Sequence, residues 1–228
     1  MSSIKVMTFF SESHRCLFES YLLPTIPYHV DLIAHEVPQV CASGIYYEDG
    51  WKAAMYMKQQ FMVDLIEQNM GRPVIYLDAD MVIVRPNAIL KMIEELGDSD
   101  MAFQDDGLGC NRNNKRNIRC AGCMAVNANQ RTLDFFRQVK DEAHQYSGDQ
   151  DSLNAVLLSK DVHDVLLSHA FWSFGQVNRR QFKFPEPIEI PYDAVIVHGN
   201  WTVGMENKKA ILDAAMLARN AILQENAL

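Results

Sequence analysis

The sequence predicts an α/β fold, with one domain spanning all 228 residues. Three observations carry that prediction. Short apolar runs suited to buried strands alternate with segments of helical periodicity, Gly and Pro punctuate the boundaries, and composition does not shift along the chain. The hydrophobic share of 48% and charged share of 22% are those of an ordinary globular protein long enough to bury a sizeable core. A formal charge of -8 speaks against bulk binding to nucleic acid or anionic lipid. No N-terminal signal pattern and no run of roughly 20 apolar residues is found, so the expected location is cytoplasmic, without a transmembrane segment. Five irregularly spaced cysteines fit free thiols in a reducing compartment. Cys110, Cys120 and Cys123 offer three soft ligands, but no fourth Cys or suitably spaced His completes a zinc site.

Taken in order, Ile4 to Phe10 reads as a first strand that ends in the polar Ser11-Glu12-Ser13, followed by a helix from Arg15 to Leu23 and a strand from Val30 to Val37. From Trp51 to Asn69 the residues Ala54, Met55, Met57, Phe61, Met62, Leu65 and Ile66 recur at helical spacing, and Gly71-Arg72-Pro73 stops the run. The apolar run Val74 to Val84, which holds the strand leading to Asp78 and Asp80, comes next, then a helix after Pro86 through Leu96 and a short strand from Met101 to Gln104. Gly107 to Asn117 lacks apolar periodicity and reads as a loop that could act as a lid. The remainder predicts a strand at Ala121 to Val126, helices at Gln130 to Tyr146 and Asp151 to Ser159, a strand at Val195 to Val197 and a final helix from about Lys208. In that last helix Ile211, Ala214, Ala215, Leu217, Ala218 and Ile222 form an apolar stripe that suits core packing, a homodimer or peripheral membrane attachment. Phe171, Trp172, Phe174, Phe182 and Phe184 suit core packing or stacking against a ligand.

The chemistry concentrates at Val74-Ile75-Tyr76-Leu77-Asp78-Ala79-Asp80-Met81-Val82-Ile83-Val84. The flanking residues have the composition of a buried central strand, where an uncompensated carboxylate costs several kcal/mol. Asp78 and Asp80 therefore belong at the strand's carboxyl end, facing a crevice, which is where open α/β sheets bind ligands. Paired carboxylates there suit Mn²⁺ or Mg²⁺ shared with substrate phosphates. An Asp-x-Asp that merely opens a turn is the plainer reading, and the strand around this one argues against it. His198 follows Ala194 to Val197 and is a candidate third ligand. Beyond it come Gly199, Asn200, Gly204 and Lys208: the glycines allow close backbone approach to an anion, and Lys208 can reach a diphosphate as a point charge. Asp149-Gln150-Asp151-Ser152-Leu153-Asn154 gathers more polar groups at a helix N-terminus than a cap requires, which suggests substrate binding.

Together these motifs resemble the nucleotide-diphospho-sugar glycosyltransferases of the GT-A fold, especially retaining family 8 and related groups. The matching parts are Tyr76-Leu77-Asp78-Ala79-Asp80, Gly122-Cys123-Met124-Ala125-Val126-Asn127, Asp149 to Asn154, and His198, in the family's order. The resemblance implies a GT-A, Rossmann-like domain with a central mixed, mostly parallel sheet flanked by helices. It implies that Asp78 touches ribose and metal, that Asp80 and His198 bind Mn²⁺ or Mg²⁺, and that Asp149 holds a sugar hydroxyl. Gln150 would lie near the anomeric carbon, Lys208 would neutralise the leaving group, Thr8 would seat the nucleotide and Lys58 would contact the sugar. The implied partners are a nucleotide-diphospho-sugar, UDP by analogy, and a glycan, lipid or protein acceptor.

Two departures stand out. Gly204 and Lys208 lie farther from His198 than in the family's His-x-x-Gly-x-x-Lys-Pro-Trp. Cys120 replaces the Asn of Asn-Ala-Gly, which leaves that contact either missing or supplied by Asn127. The rival readings are a haloacid dehalogenase-like phosphohydrolase built on Asp78-Ala79-Asp80-Met81-Val82 and a catalytically silent nucleotide-sugar-binding protein. In the former the nucleophilic Asp normally lies on the first strand, whereas about two strands precede Asp78.

Overall fold

The computed structural model describes residues 3–42, 48–108, 117–178 and 180–225. Among them β1 (Ile4–Ser11), α1 (Glu12–Leu17), β2 (Val30–Val37), α2 (Trp51–Gln68) and β3 (Pro73–Leu77) open the chain. They are followed by β4 (Met81–Ile83), α3 (Ala88–Leu96), β5 (Met101–Leu108), β6 (Asn117–Asn127), α4 (Gln130–Glu142) and α5 (Asp149–Leu157). β7 (Asp164–Leu166), β8 (Phe171–Ser173), α6 (Phe174–Asn178), β9 (Ile196–His198) and α7 (Met205–Glu225) complete it. The main sheet has the order β2-β1-β3-β6-β5-β7, and a smaller one the order β4-β9-β8. In the main sheet β6 alone runs against its neighbours, so the sheet is mixed and mostly parallel, as expected.

Alternation along the strands assigns the faces. Val74 and Tyr76 of β3 point to the layer of α2, α4 and α5, while Ile75 and Leu77 point to the opposite core with α3. In the smaller sheet Met81, Ile83, Phe171 and Ile196 join that second core, and Val82, Trp172 and Val197 face Ile211, Leu212 and Ala215 of α7. A period of two thus lets a three-stranded sheet bury both of its faces. Of the uses open to the stripe on the final helix, core packing holds for Ile211, Ala215 and Ile222, which are buried against the protein itself, whereas Leu217 is exposed. Phe171, Trp172, Phe174 and Phe182 are buried as well, and only Phe184 of that set is exposed.

Several boundaries differ from expectation. The first helix starts at Glu12, widens to a π turn over Phe18–Leu22 and ends as a 3₁₀ turn at Leu23–Thr25, where Pro24 has no N–H to continue the ladder. The apolar run from Val74 to Val84 is two strands in two sheets, parted at Asp78-Ala79-Asp80. β5 and β6 extend farther than expected, to Leu108 and back to Asn117; the rest of the expected lid, like Cys110, lies outside the described residues. β7, β8 and α6 were not expected, being too short to show periodicity. No helix among the described residues is long and apolar enough to cross a membrane.

Asp100, buried at the start of β5, ties three elements together. Its Oδ1 accepts from Asn129 Nδ2 at 2.9 Å and Arg131 Nη2 at 2.8 Å, and its Oδ2 from the His163 backbone N–H at 3.0 Å. Burial pushes its carboxyl up, but the donors from Arg131, His163 and Asn129 outweigh that and hold it below the usual carboxylate range. Its contribution is therefore full above the unfolded value of about 3.9 and is lost as pH falls through the lower folded value. Asp100→Ala is expected to cost about 2–3 kcal/mol near neutral pH, mostly from the buried bonds, since exposed Arg131 is screened. Denaturant titrations of both proteins between neutral and about pH 3 check this; a deficit that does not shrink with acid would contradict it.

Candidate active site

The site lies where β3 hands the chain to the smaller sheet. Asp78 follows the last residue of β3, and its backbone N–H donates to Gly122 O of β6 at 2.7 Å. Asp80 precedes β4, and its carbonyl accepts from Gly199 N at 2.8 Å, just past β9. The β4–β9 register sets Met81 opposite His198. Strand pairing alone thus brings residues 78, 80 and 198 to one place. One ligand atom from each of Asp78, Asp80 and His198 falls within 4.8 Å of the others. His198 Nε2 lies 3.4 Å from Asp80 Oδ1 and 3.7 Å from Asp78 Oδ2.

The atoms turned away from that point are held by other side chains. Asp78 Oδ1 accepts from Tyr76 Oη at 2.6 Å and Lys58 Nζ at 3.0 Å. Asp80 Oδ2 accepts from Lys208 Nζ, which also donates to Gly199 O at 3.2 Å. Burial pushes the Asp80 carboxyl up, yet Lys208 and His198 outweigh it and hold it well below the usual range. A methyl on Gly122 would stand 2.2 Å from Asp78 Oδ2 and 2.6 Å from His198 Cε1, so the cradle exists only because that residue has no side chain. Two carboxylate oxygens, an imidazole nitrogen and a small cradle fit a hard divalent cation such as Mn²⁺ or Mg²⁺.

Lys58, on α2, is buried between two carboxylates, with Nζ 2.7 Å from Asp149 Oδ2 and 4.5 Å from the centre of the Tyr76 ring. Burial works against its charge, but Asp149 and Asp78 outweigh burial and raise it well above the ordinary lysine value. Asp149 is the first residue of α5, and its carboxylate is spent on Lys58 rather than on capping the helix. Gln150 accepts from Ala121 N at 3.2 Å, and one turn on Asn154 exchanges hydrogen bonds with the Arg119 backbone at 2.9 and 2.8 Å. That i, i+4 pair of amides docks α5 onto the part of β6 that extends beyond β3, which accounts for much of the polar cluster.

Asp106 was missed by the sequence reasoning. It is buried; its Oδ2 accepts from Gln150 Nε2 at 2.8 Å, and its Oδ1 from Asn200 Nδ2 at 2.9 Å and Trp201 Nε1 at 2.7 Å. Burial pushes its carboxyl up, against the pull of the Gln150 and Trp201 bonds. Irregular pairing on both sides of Asp105 re-aims this stretch of β5. The one available signal was an Asp-Asp pair ending an apolar strand. Trp201 holds a left-handed φ of 55° and packs so closely on Gly175 that a Cβ there would meet the indole at 1.9 Å.

Thr8 is buried beyond the last β1–β3 pair, and among the described residues its hydroxyl has no partner; Asn200 Oδ1 is likewise buried and without a partner among them. Gly204, with φ +91°, sits exposed just ahead of α7. Asn127 requires correction. It lies opposite Pro73 at the far end of β6, where Nδ2 donates to Gly97 O at 2.9 Å and Ser99 O at 2.7 Å. It cannot replace the amide lost at Cys120; an amide that does reach Cys120 is Asn200, whose Nδ2 is 3.9 Å from its Sγ.

This site, at the carboxyl ends of a mixed sheet, sits in the GT-A glycosyltransferase fold. The structure is similar to the apo glycosyltransferase GlyE of Streptococcus pneumoniae TIGR4, with a TM-score of 0.53 and 16% identity over 98% of this chain. It is also similar to the galactosyltransferase LgtC in complex with donor and acceptor sugar analogs (TM-score 0.55, 14% identity, 96% of each chain). A third likeness is a glycosyltransferase involved in glycosylating the major capsid of PBCV-1 (TM-score 0.59, 10% identity, 92% of this chain and 98% of that one). The chain spans 64% of GlyE and 50% of the bifunctional glycosyltransferase WbbM. No curated protein sequence matches it. Residues 27–212 match the nucleotide-diphospho-sugar transferase family, and the chain belongs to that family. The phosphohydrolase reading loses its footing, since Asp78 follows the third strand in the sheet and not the first.

Proposed function

We propose that the chain is a metal-dependent glycosyltransferase of the family 8-like group that moves a sugar from a UDP-sugar to a glycan, lipid or protein acceptor with retention of configuration. It works as one cytoplasmic domain over residues 1–228. The observation that carries this reading is the convergence of Asp78, Asp80 and His198 within 4.8 Å at the end of the central strand. Mn²⁺ or Mg²⁺ held by these three would stabilise charge on the departing diphosphate. Lys208 adds positive charge beside the same oxygens, and the unpaired Thr8 hydroxyl seats the nucleotide, while Gly199 and Gly204 let backbone approach the phosphates. Asp149 accepts from a sugar hydroxyl, with Lys58 holding the carboxylate in place. Asn200 offers its free Oδ1 to the sugar or acceptor. Gln150 faces the anomeric carbon; a neutral amide is neither a base nor a strong nucleophile, which favours attack from the leaving group's own face.

Calorimetric titration of UDP in Mn²⁺ and in EDTA, on the natural protein and on Asp80→Ala, tests the proposal. Binding is expected only with both the metal and Asp80. If neither UDP nor any other nucleoside diphosphate binds with metal present, the proposal falls.

A further inference from the structure

Gln104 is a fully buried amide in the otherwise apolar start of β5. Its Oε1 lies 2.8 Å from His198 Nδ1, and its Nε2 donates to Phe171 O at 3.0 Å. These two contacts fix the amide's direction. A backbone carbonyl can only accept, so the NH₂ must face Phe171, and Oε1 is left to accept a proton from the imidazole. Turning the amide over would set carbonyl against carbonyl in a buried site. The remaining neighbour of Nδ1, Cys120 Sγ at 3.7 Å, is a weak partner that cannot compete. Nδ1 therefore carries a ring proton, and Nε2 is the nitrogen turned toward Asp78 and Asp80, from which a cation bound there would draw its lone pair.

We infer that Gln104 is a positioning residue that sets the tautomer and ring orientation of His198, so that Nε2 presents its lone pair to the space between Asp78 and Asp80. The inference rests on the metal-site reading for its purpose but not for its geometry. Asp78 and Asp80 have their outer oxygens held by donors; an imidazole needs an acceptor on its outer nitrogen, and Gln104 supplies one. The same amide joins the two sheets, since it stands on β5 and reaches both β8 and β9. Any shift of the smaller sheet against the larger would break one of its two bonds.

The test reads the tautomer and the metal separately. Imidazole ¹⁵N NMR of the metal-free protein, with His198 assigned by its loss in His198→Gln, reports which nitrogen is protonated; calorimetry with Mn²⁺ alone reports affinity. The natural protein is expected to show the Nδ1–H form. Gln104→Met should turn it into a mixture and weaken Mn²⁺ binding by about 10–100-fold. A thermal melt of Gln104→Met reports whether that variant folds, and the tautomer of the natural protein tests the inference without it. An imidazole protonated on Nε2 alone in the natural protein, or a folded Met variant with unchanged tautomer and affinity, overturns the inference. Nδ1–H together with no Mn²⁺ binding by the natural protein would remove the metal reading and still uphold the role of Gln104.

Discussion

Gly122→Ala is expected to abolish Mn²⁺-dependent UDP binding in a protein that still folds. The added methyl would meet Asp78 Oδ2 at 2.2 Å, His198 Cε1 at 2.6 Å and Asp78 Cγ at 2.9 Å, all closer than real contacts allow. Neither neighbour can retreat cheaply. Asp78 is anchored by Tyr76 and Lys58 through Oδ1, and His198 by Gln104 through Nδ1. Displacing two of the three ligand groups should weaken Mn²⁺ by at least about 100-fold, the upper end of what losing a single supporting partner does elsewhere. Overpacking costs about 1–3 kcal/mol of stability, which a chain of this size can absorb. Mn²⁺ calorimetry alongside thermal melts separates the two effects. A folded variant with natural affinity would mean that the cation does not sit between Asp78 and His198.

Lys58→Met is expected to have the largest effect on stability. Lys58 is the cation shared by Asp149 at 2.7 Å and Asp78 at 3.0 Å, and its own charge is secure because those carboxylates raise its pKa. A raised folded value means that, while the two carboxylates are ionised, the stabilisation is complete below the unfolded value of about 10.4 and is lost as pH climbs through the higher folded value. Methionine fills the volume but leaves two mutually repelling carboxylates with the positive partner gone. Breaking a buried pair in this way costs about 3–5 kcal/mol, or roughly 10 °C in melting temperature for a chain of this length. Nucleotide binding should fall with it, because Asp78 loses one of the two donors on Oδ1. Thermal unfolding at neutral pH decides the point; a loss within about 1 kcal/mol, the value of an exposed pair, would place Lys58 in solvent rather than between the aspartates.

Much of the architecture was legible. The α2 helix, the strands from β1 to β3 and the position of Asp78 and Asp80 at a strand end follow from local periodicity and from the cost of burying charge. What misled were distances along the chain taken as distances in space. Asn127 is only five residues from Gly122, but β6 is extended and antiparallel to β3, so five residues carry it roughly 16 Å from the site. The α7 stripe mixed two faces of one helix, and only the packing shows that Ile211, Ala215 and Ile222 go inward while Leu217 does not. Lys58 could be placed from the family resemblance, yet its pairing with both Asp78 and Asp149 depends on how α2 and α5 pack on one face of the sheet.

By itself the sequence determined the α/β class, the Asp-x-Asp pair at the end of an apolar strand and the candidacy of His198, because each rests on local periodicity or on the penalty for an unpaired buried charge. The tertiary structure alone decided that the apolar run splits between two sheets, that Gly122 must lack a side chain, that Asp106 is turned inward and that Gln104 meets His198. These depend on register between strands far apart in the chain. Such pairings are settled by the simultaneous burial of several faces, and no single segment encodes them.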